Sequence, residues 1–408
     1  MMNQSQRVLS TYAADLFGIS SALYELGGLI VMHDASGCNS TYGTHDEPRW
    51  YDTPSMVYIS GLNEVDTIHG NDKRLRENIK EAALEMNPSF IAISGSPMPN
   101  VIGSDLKSAA ALLEEETGIP CMGFRTDGIH TYSAGAGEAF LQYARRFLKP
   151  VPDEKHEGIR VNILGVTPLD FSVTGNTTTM RKILADEGIE LISLWAMGSS
   201  PEELRMAPCA DLNLVVSSAG LSAASYMEIE FGIPYLMMTP VGKSGRELWI
   251  RLIHENEGRI KEKGSGKLIP SGLNGSISCF GMSGKRKAEE DEETQVLMIG
   301  EPLISAGIKD CLTKEFGMRK VRRICPLPDL PKEAYAGAGI VTLEEHLAEE
   351  VASAERIIAD PIYARLLPEE KRKALIRFPH EAYSGRHYRE EIPVFIGDSF
   401  TEWIGERL

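Results

Sequence analysis

Short apolar runs recur along the chain, each bounded by glycine, serine or proline and each followed by a longer stretch with helical spacing. Leu29-Ile-Val-Met32, Met56-Val-Tyr-Ile59 and Phe90-Ile-Ala-Ile93 are the first three. Continuous rather than alternating hydrophobicity predicts parallel strands covered on both faces. Between them, Leu75, Ile79, Ala82, Ala83 and Met86 place an apolar stripe on a helix over residues 71–86. A helix over 101–117 should end at Gly118 ahead of Pro120, and another over 135–148 closes the first block.

The rhythm resumes after Lys149–Gly158, a polar stretch with two prolines that reads as a linker. Val161-Asn-Ile-Leu-Gly165, a helix near 178–187, strands at 189–195 and 212–217, a helix over 219–231 and a strand at 235–238 form a second block. Residues 264–294, with a run of charges from Lys285 to Glu293, break the pattern and read as a solvated loop. A third block follows: a strand at 296–299, a helix at 305–316, a strand at 321–324, a helix over 343–359 and a strand at 393–397. Strand and helix alternating at this cadence predict an α/β protein of three doubly wound, Rossmann-like domains. The expected spans are 1–150, 159–263 and 295–408, with 264–294 as loop or linker.

A chain of 408 residues is long enough for several cores. Forty-two basic against 58 acidic residues leave a formal charge of −16, which argues against nucleic acid as a partner. Neither a secretory start nor an apolar run of roughly 20 residues is present, so a cytoplasmic protein without membrane segments is the expectation. The six cysteines, Cys38, Cys121, Cys209, Cys279, Cys311 and Cys325, are scattered with no CxxC pair. Any cluster must therefore draw ligands from distant segments or from two chains.

In doubly wound sheets ligands bind beyond the carboxyl ends of the strands. After the first strand stands His33-Asp-Ala-Ser-Gly-Cys38, a thiol at the binding edge, where thiolate is the usual iron–sulfur ligand; a cysteine without a ligand is the equal alternative. After the third comes Ser94-Gly-Ser96-Pro, and in the second block Gly165–Thr179; both read more simply as turns before helices. His380-Glu-Ala-Tyr-Ser-Gly-Arg386-His387 groups imidazole, carboxylate and guanidinium within eight residues, enough for a metal or an anionic substrate, although ordinary loop residues would look the same. No P-loop and no G-x-G-x-x-G follows a strand, so ATP or NAD binding is weakly supported.

Ser36-Gly-Cys38, Ile68-His-Gly-Asn-Asp-Lys73 with Leu75, Val101-Ile-Gly-Ser-Asp105, Ile119-Pro-Cys121-Met-Gly-Phe124 and Val161-Asn-Ile-Leu-Gly165 stand in the order of matching segments of one family. In these the chain resembles nitrogenase component 1 and its relatives, which include dark-operative protochlorophyllide reductase subunits and cofactor-assembly scaffolds. The resemblance implies three Rossmann-like domains in a homodimer or in a heterodimer with a paralogous subunit. It also implies a shared 4Fe–4S cluster at the subunit interface and electrons from an ATP-hydrolysing iron protein. Cys38 matches one cluster ligand, whereas Thr11–Ala14 and Ser96 stand where relatives carry the others. Further donors would then be His33, Asp34, His45 or Asp46. Ser217 replaces the cofactor cysteine of the second domain, and the segment with His380, Arg386 and His387 resembles the histidine segment of the third. The resemblance thus implies an oxidoreductase of a substrate other than dinitrogen. A metallocluster scaffold is the alternative, and an unrelated Rossmann-like binding protein the third reading.

Overall fold

The computed structural model describes residues 8, 10–35, 37, 39–70, 72–152, 156–257, 295–335 and 337–408. Cys38, Ser36, Cys279 and the expected loop over 264–294 lie outside them. The described chain holds three all-parallel sheets. The first contains β1 (Leu29–His33), β2 (Met56–Ile59), β3 (Ile91–Gly95) and β4 (Cys121–Gly123) in the order β2-β1-β3-β4. The second contains β5 (Arg160–Leu164), β6 (Glu190–Trp195), β7 (Leu212–Val215) and β8 (Tyr235–Met237) in the order β6-β5-β7-β8. The third contains β9 (Val296–Ile299), β10 (Val321–Cys325), β11 (Gly339–Ile340), β12 (Arg356–Ala359) and β13 (Leu375–Arg377) in the order β11-β10-β9-β12-β13. Every residue of β1, β3, β5, β7 and β9 is buried, which is why these strands are mostly apolar without alternation, Asn162 and Asn213 bonding to each other inside the second sheet.

Each sheet reverses its winding once: between β1 and β3, between β5 and β7, and between β9 and β12. Crevices open at such points on the carboxyl side, and all three are lined by residues of interest below. The cores are shared rather than separate. One runs from Ile30 and Met32 through Phe140 to Trp195 and Val215; another joins Val161 and Leu214 to Met298, Phe395 and Phe400.

Several elements differ from the periodicity. The helix expected over 101–117 is two helices, α4 (Pro97–Val101) and α5 (Leu106–Thr117), following α2 (Glu64–His69) and α3 (Asp72–Met86). Gly103 at φ 78° breaks the turn between them, and Asp105 caps α5 by accepting from Ser108 N. The helix expected over 343–359 stops at Ser353, and Arg356–Ala359 becomes β12 between β9 and β13. Its adjacent isoleucines, buried on both faces, satisfy a central strand better than a helical stripe. Residues 393–397 join no sheet and make only isolated bridges to Val241.

The helix α1 (Asp15–Leu23) is not visible in the pattern. It crosses α6 (Tyr132–Phe147) at glycine on both sides. A Cβ on Gly18 would overlap the Tyr132 carbonyl, and one on Gly135 the Asp15 carbonyl. The crossing therefore exists only because both side chains are hydrogen atoms.

Candidate functional site

The carboxyl edge of the first sheet gathers most of the expected donors. His33 ends β1, is 5% exposed, and hydrogen-bonds through Nδ1 to Ser60 Oγ at 2.7 Å. Burial lowers its pKa, against the opposing pull of Asp72, Asp34 and Asp66, and so favours neutral imidazole. Asp34 is buried and accepts from Asn39 Nδ2 at 2.6 Å. Ser96 lies across the β1–β3 crevice, its N–H donating to the His33 carbonyl at 3.3 Å. Its hydroxyl is buried with no hydrogen-bond partner, an orphan polar atom at this edge.

His45 and Asp46 lie beyond this crevice, on a π-helical turn over Tyr42–Asp46. His45 is exposed. Asp46 is occupied: its carboxylate accepts from the Tyr12 hydroxyl and pairs with Arg386 at 2.9 Å, and its carbonyl accepts from Arg389 at 2.7 Å. The structure thus joins two of the expected segments to each other. Arg386 and His387 are exposed, whereas His380 is buried in another environment.

That environment is the junction where the carboxyl edges of the second and third sheets meet α6. His380 Nδ1 accepts from Ala382 N at 3.3 Å, so the ring proton is on Nε2. Nε2 then donates to Asp170 Oδ1 at 3.2 Å, and Tyr132 donates its hydroxyl to the same oxygen at 2.6 Å. Asp170 lies on α7 (Pro168–Phe171), directly after β5. Its other oxygen, Oδ2, is buried without a partner. Asp360, after β12, accepts from His380 N at 2.8 Å and from Ser384 Oγ at 2.7 Å. Glu301, after β9, accepts from Ser218 N at 2.8 Å and caps the helix Pro302–Phe316 by accepting from Ile304 N at 2.7 Å.

Glu301, Asp360 and Tyr132 were missed by sequence reasoning, and Asp170 lay within the Gly165–Thr179 segment read as a turn. Each carboxylate stands within a few residues of a strand's carboxyl end, so applying the edge rule to every strand would have found them. Ser217, by contrast, has its hydroxyl donating to the Gly165 carbonyl at 2.6 Å. A Cβ on Gly165 would sit 2.7 Å from Gly220 N, so the β5–β7 crevice is filled by its own backbone.

The described cysteines lie away from the first crevice. Cys121 opens β4 at the opposite edge, with its thiol pushed up to about 12 by burial and then by Glu114. Cys209 precedes β7, and Cys311 and Cys325 are buried in the third block. Asp15, Asp127 and His130 bring ligand atoms together at the first edge, but Asp15 already accepts from the N–H groups of Leu16, Asp127 and Gly128.

Around the first crevice several large apolar side chains are exposed among polar ones. Val65 and Ile68 on α2, Met98 and Val101 on α4, and Ile129 after β4 are all exposed, Ile68 to 77% and Val101 to 83%. Thr67 Oγ1 lies 4.0 Å from Met98 Sδ, and a Cβ on Gly128 would press on Pro97, so α2, α4 and the Ile129 turn adjoin.

A family model described as nitrogenase component 1 type oxidoreductase matches residues 22–321. The chain is 28% identical over 196 residues to the nitrogenase iron-molybdenum cofactor biosynthesis protein NifE of Methanosarcina barkeri, covering 45% of this chain and 42% of that protein. It is 26% identical over 320 residues to the B-type subunit of light-independent protochlorophyllide reductase from Chlorobium limicola, covering 74% and 58%. The chain thus spans about half the length of the curated relatives it matches. Among solved structures, nitrogenase Cp1 at pH 6.5 aligns with a TM-score of 0.68 at 16% identity, over 100% of this chain and 93% of that one, a likeness of fold alone. The chain belongs to the nitrogenase component 1 type oxidoreductases.

Proposed function

We propose that this chain is one subunit of a nitrogenase-like oxidoreductase component and holds an iron–sulfur cluster at a subunit interface through Cys38. It takes electrons from an ATP-hydrolysing iron-protein partner and reduces a substrate other than dinitrogen. The observation that carries this reading is the exposed apolar face of Val65, Ile68, Met98, Val101 and Ile129 around the crevice that Cys38 follows in sequence. Contiguous apolar surface of this kind marks a protein contact.

The donors present fit half a site. One chain offers Cys38, the orphan Ser96 hydroxyl and the Nε2 of His33, whose Nδ1 is held by Ser60, whereas Asp34 and Asp46 are already engaged and Asp15 caps a turn of backbone N–H groups. A cluster of 4Fe–4S type would therefore take thiolates from two chains, either a second copy or a paralogous subunit. Bound, it would supply one-electron transfer. The chain's own contribution is to bury the crevice in the subunit contact and exclude water from it.

The closed β5–β7 crevice around Ser217 supports the exclusion of an iron–molybdenum-type cofactor, and with it of dinitrogen reduction. The same shortage of ligands supports, as second reading, a scaffold or carrier that passes a metallocluster on without turnover. The three sheets fall inside spans 1–150, 159–263 and 295–408, which supports a division into three domains. Among the described residues no helix is long and apolar enough to cross a membrane.

Anaerobic purification with iron, sulfide and EPR measurement tests the proposal, on wild type and Cys38→Ala, each with and without any paralogous subunit. Iron lost in a folded Cys38→Ala protein is expected. Iron-free wild type in both preparations would sink the cluster and leave neither reading standing. Ile68→Glu should weaken association in sedimentation; an unchanged oligomer would remove the apolar face as its basis.

A further inference from the structure

The tautomer of His33 is fixed by its neighbour. Nδ1 lies 2.7 Å from Ser60 Oγ, and that hydroxyl donates its one proton to the Asp34 carbonyl at 3.3 Å. Ser60 Oγ therefore accepts from Nδ1, and Nε2 keeps a bare lone pair. Among the described residues only Ser60 hydrogen-bonds this ring, which is 5% exposed. Burial favours the neutral imidazole, so the lone pair stays available.

His33 borders a cavity of about 20 Å³ at the carboxyl edge of the first sheet, together with Ser60, Asp66, Asp72, Arg74 and Asn78. A space of that size takes one particle as large as a water molecule and excludes an organic molecule. Groups around so small a space reach the same occupant. Asp66, on α2, is buried and holds the Arg74 guanidinium at 2.8 Å. Asp72, the first residue of α3, is exposed and makes no ion pair among the described residues. Two carboxylates against one guanidinium leave the lining net negative, beside the buried Asp34. Nε2, the Asp72 carboxylate and the Asn78 amide oxygen are three acceptors, whereas a water has two protons to give. One cation answers all three.

We propose that this cavity is a mononuclear metal site, in which His33 Nε2 and the Asp72 carboxylate bind one divalent first-row ion of the manganese-to-zinc series. Asn78 adds an amide oxygen, Asp66 adds charge, and water completes the shell. Imidazole selects against calcium and magnesium, and a lining free of thiolate against copper(I). Ser60 orients the ring from behind, as the partner of a ligating histidine does. The ion ties β1 to the start of α3, beneath α2, which carries the exposed Val65 and Ile68. The cavity has no room for a substrate or a four-iron cluster, so the ion holds structure, and Nε2 leaves the cluster to Cys38 and Ser96. The Asp15, Asp127 and His130 group also brings ligand atoms together, but its carboxylates already accept backbone N–H groups.

Calorimetric titration of Zn²⁺ into the purified chain, prepared without a histidine tag, tests this; loss of the free-ion EPR signal of Mn²⁺ is the second readout. A single saturable site is expected. His33→Gln and Asp72→Asn should each weaken it by about tenfold or more, as should Ser60→Ala behind the ring. Absence of saturable binding means that the cavity holds water only, and overturns the proposal. Binding unmoved by both His33→Gln and Asp72→Asn overturns it too, as does binding lost in His130→Ala instead, which assigns the ion to the Asp15 group. Asp72 is exposed, so Asp72→Asn decides alone should His33→Gln fail to fold. None of these readouts needs iron, so their failure leaves the cluster reading untouched.

Discussion

Arg49 is the guanidinium on which the first and second blocks are pinned together. It is 4% exposed and pairs with Glu25 at 2.9 Å and with Glu47 at 2.8 Å. It also donates to the Ser21 carbonyl at 2.8 Å and to the Ala196 carbonyl, across the block boundary, at 3.1 Å. Its carbon stacks 4.7 Å from the centre of the Tyr24 ring. Arg49→Met keeps the volume and removes the charge, leaving Glu47, 1% exposed, as a buried carboxylate without its cation. Such an orphan costs about 3–5 kcal/mol, to which the two abandoned carbonyls add.

The pH dependence is the sharper test. Burial already raises Glu47 above the usual glutamate range in the presence of Arg49. Without the guanidinium it must rise further. A carboxyl whose folded pKa is raised gives stability below the unfolded value, about 4.3, and loses it as pH climbs through the folded value. The deficit of Arg49→Met should therefore be largest near pH 8 and shrink toward pH 5. Urea unfolding followed by tryptophan fluorescence and circular dichroism would measure it. Arg49→Met/Glu47→Gln should recover most of the loss at high pH. A deficit under about 1 kcal/mol, one that does not change with pH, or a double variant as unstable as the sum of the singles would refute the reasoning.

Gly135→Ala should destabilise by at least the usual overpacking cost of about 1–3 kcal/mol, because the methyl group meets the backbone of α1; a thermal melt would show it. Arg386→Ala should change stability by less than about 1 kcal/mol, since the guanidinium is half exposed, although Asp46 loses a partner; denaturation measures that too. Glu301, raised from 4.5 to about 7, should make wild type lose about 3 kcal/mol as pH rises from 4.5 through 7. Glu301→Gln should flatten that slope, as read from the midpoint of denaturation at each pH.

The strand rhythm could be read from residues alone because fully buried parallel strands are written as unbroken apolar runs, as in Leu29–Met32 and Val296–Ile299. Helix α1 could not, since all nine of its residues are buried and Gly18, Ser20 and Ser21 interrupt any stripe. The strand Arg356–Ala359 was hidden by the helix running into it. At the candidate sites, residue type was legible and partnership was not. His380 drew attention, but Asp170, its partner, is 210 positions away and looks like any acid in a turn. Glu301 followed by Pro302 reads as a helix cap, which it is, and nothing local reveals the carboxylate across the junction.

The closure around Ser217 bears on engineering. With its hydroxyl tied to the Gly165 carbonyl and Gly220 against Leu164, the crevice has no vacancy for a new side chain to address. Ser217→Cys would put sulfur where a tight backbone contact now stands, creating strain before any metal could compensate it. Placing a ligand there would require the Gly165 and Gly220 turns to move apart in concert. No single substitution at Ser217 therefore equips this crevice to hold a metal.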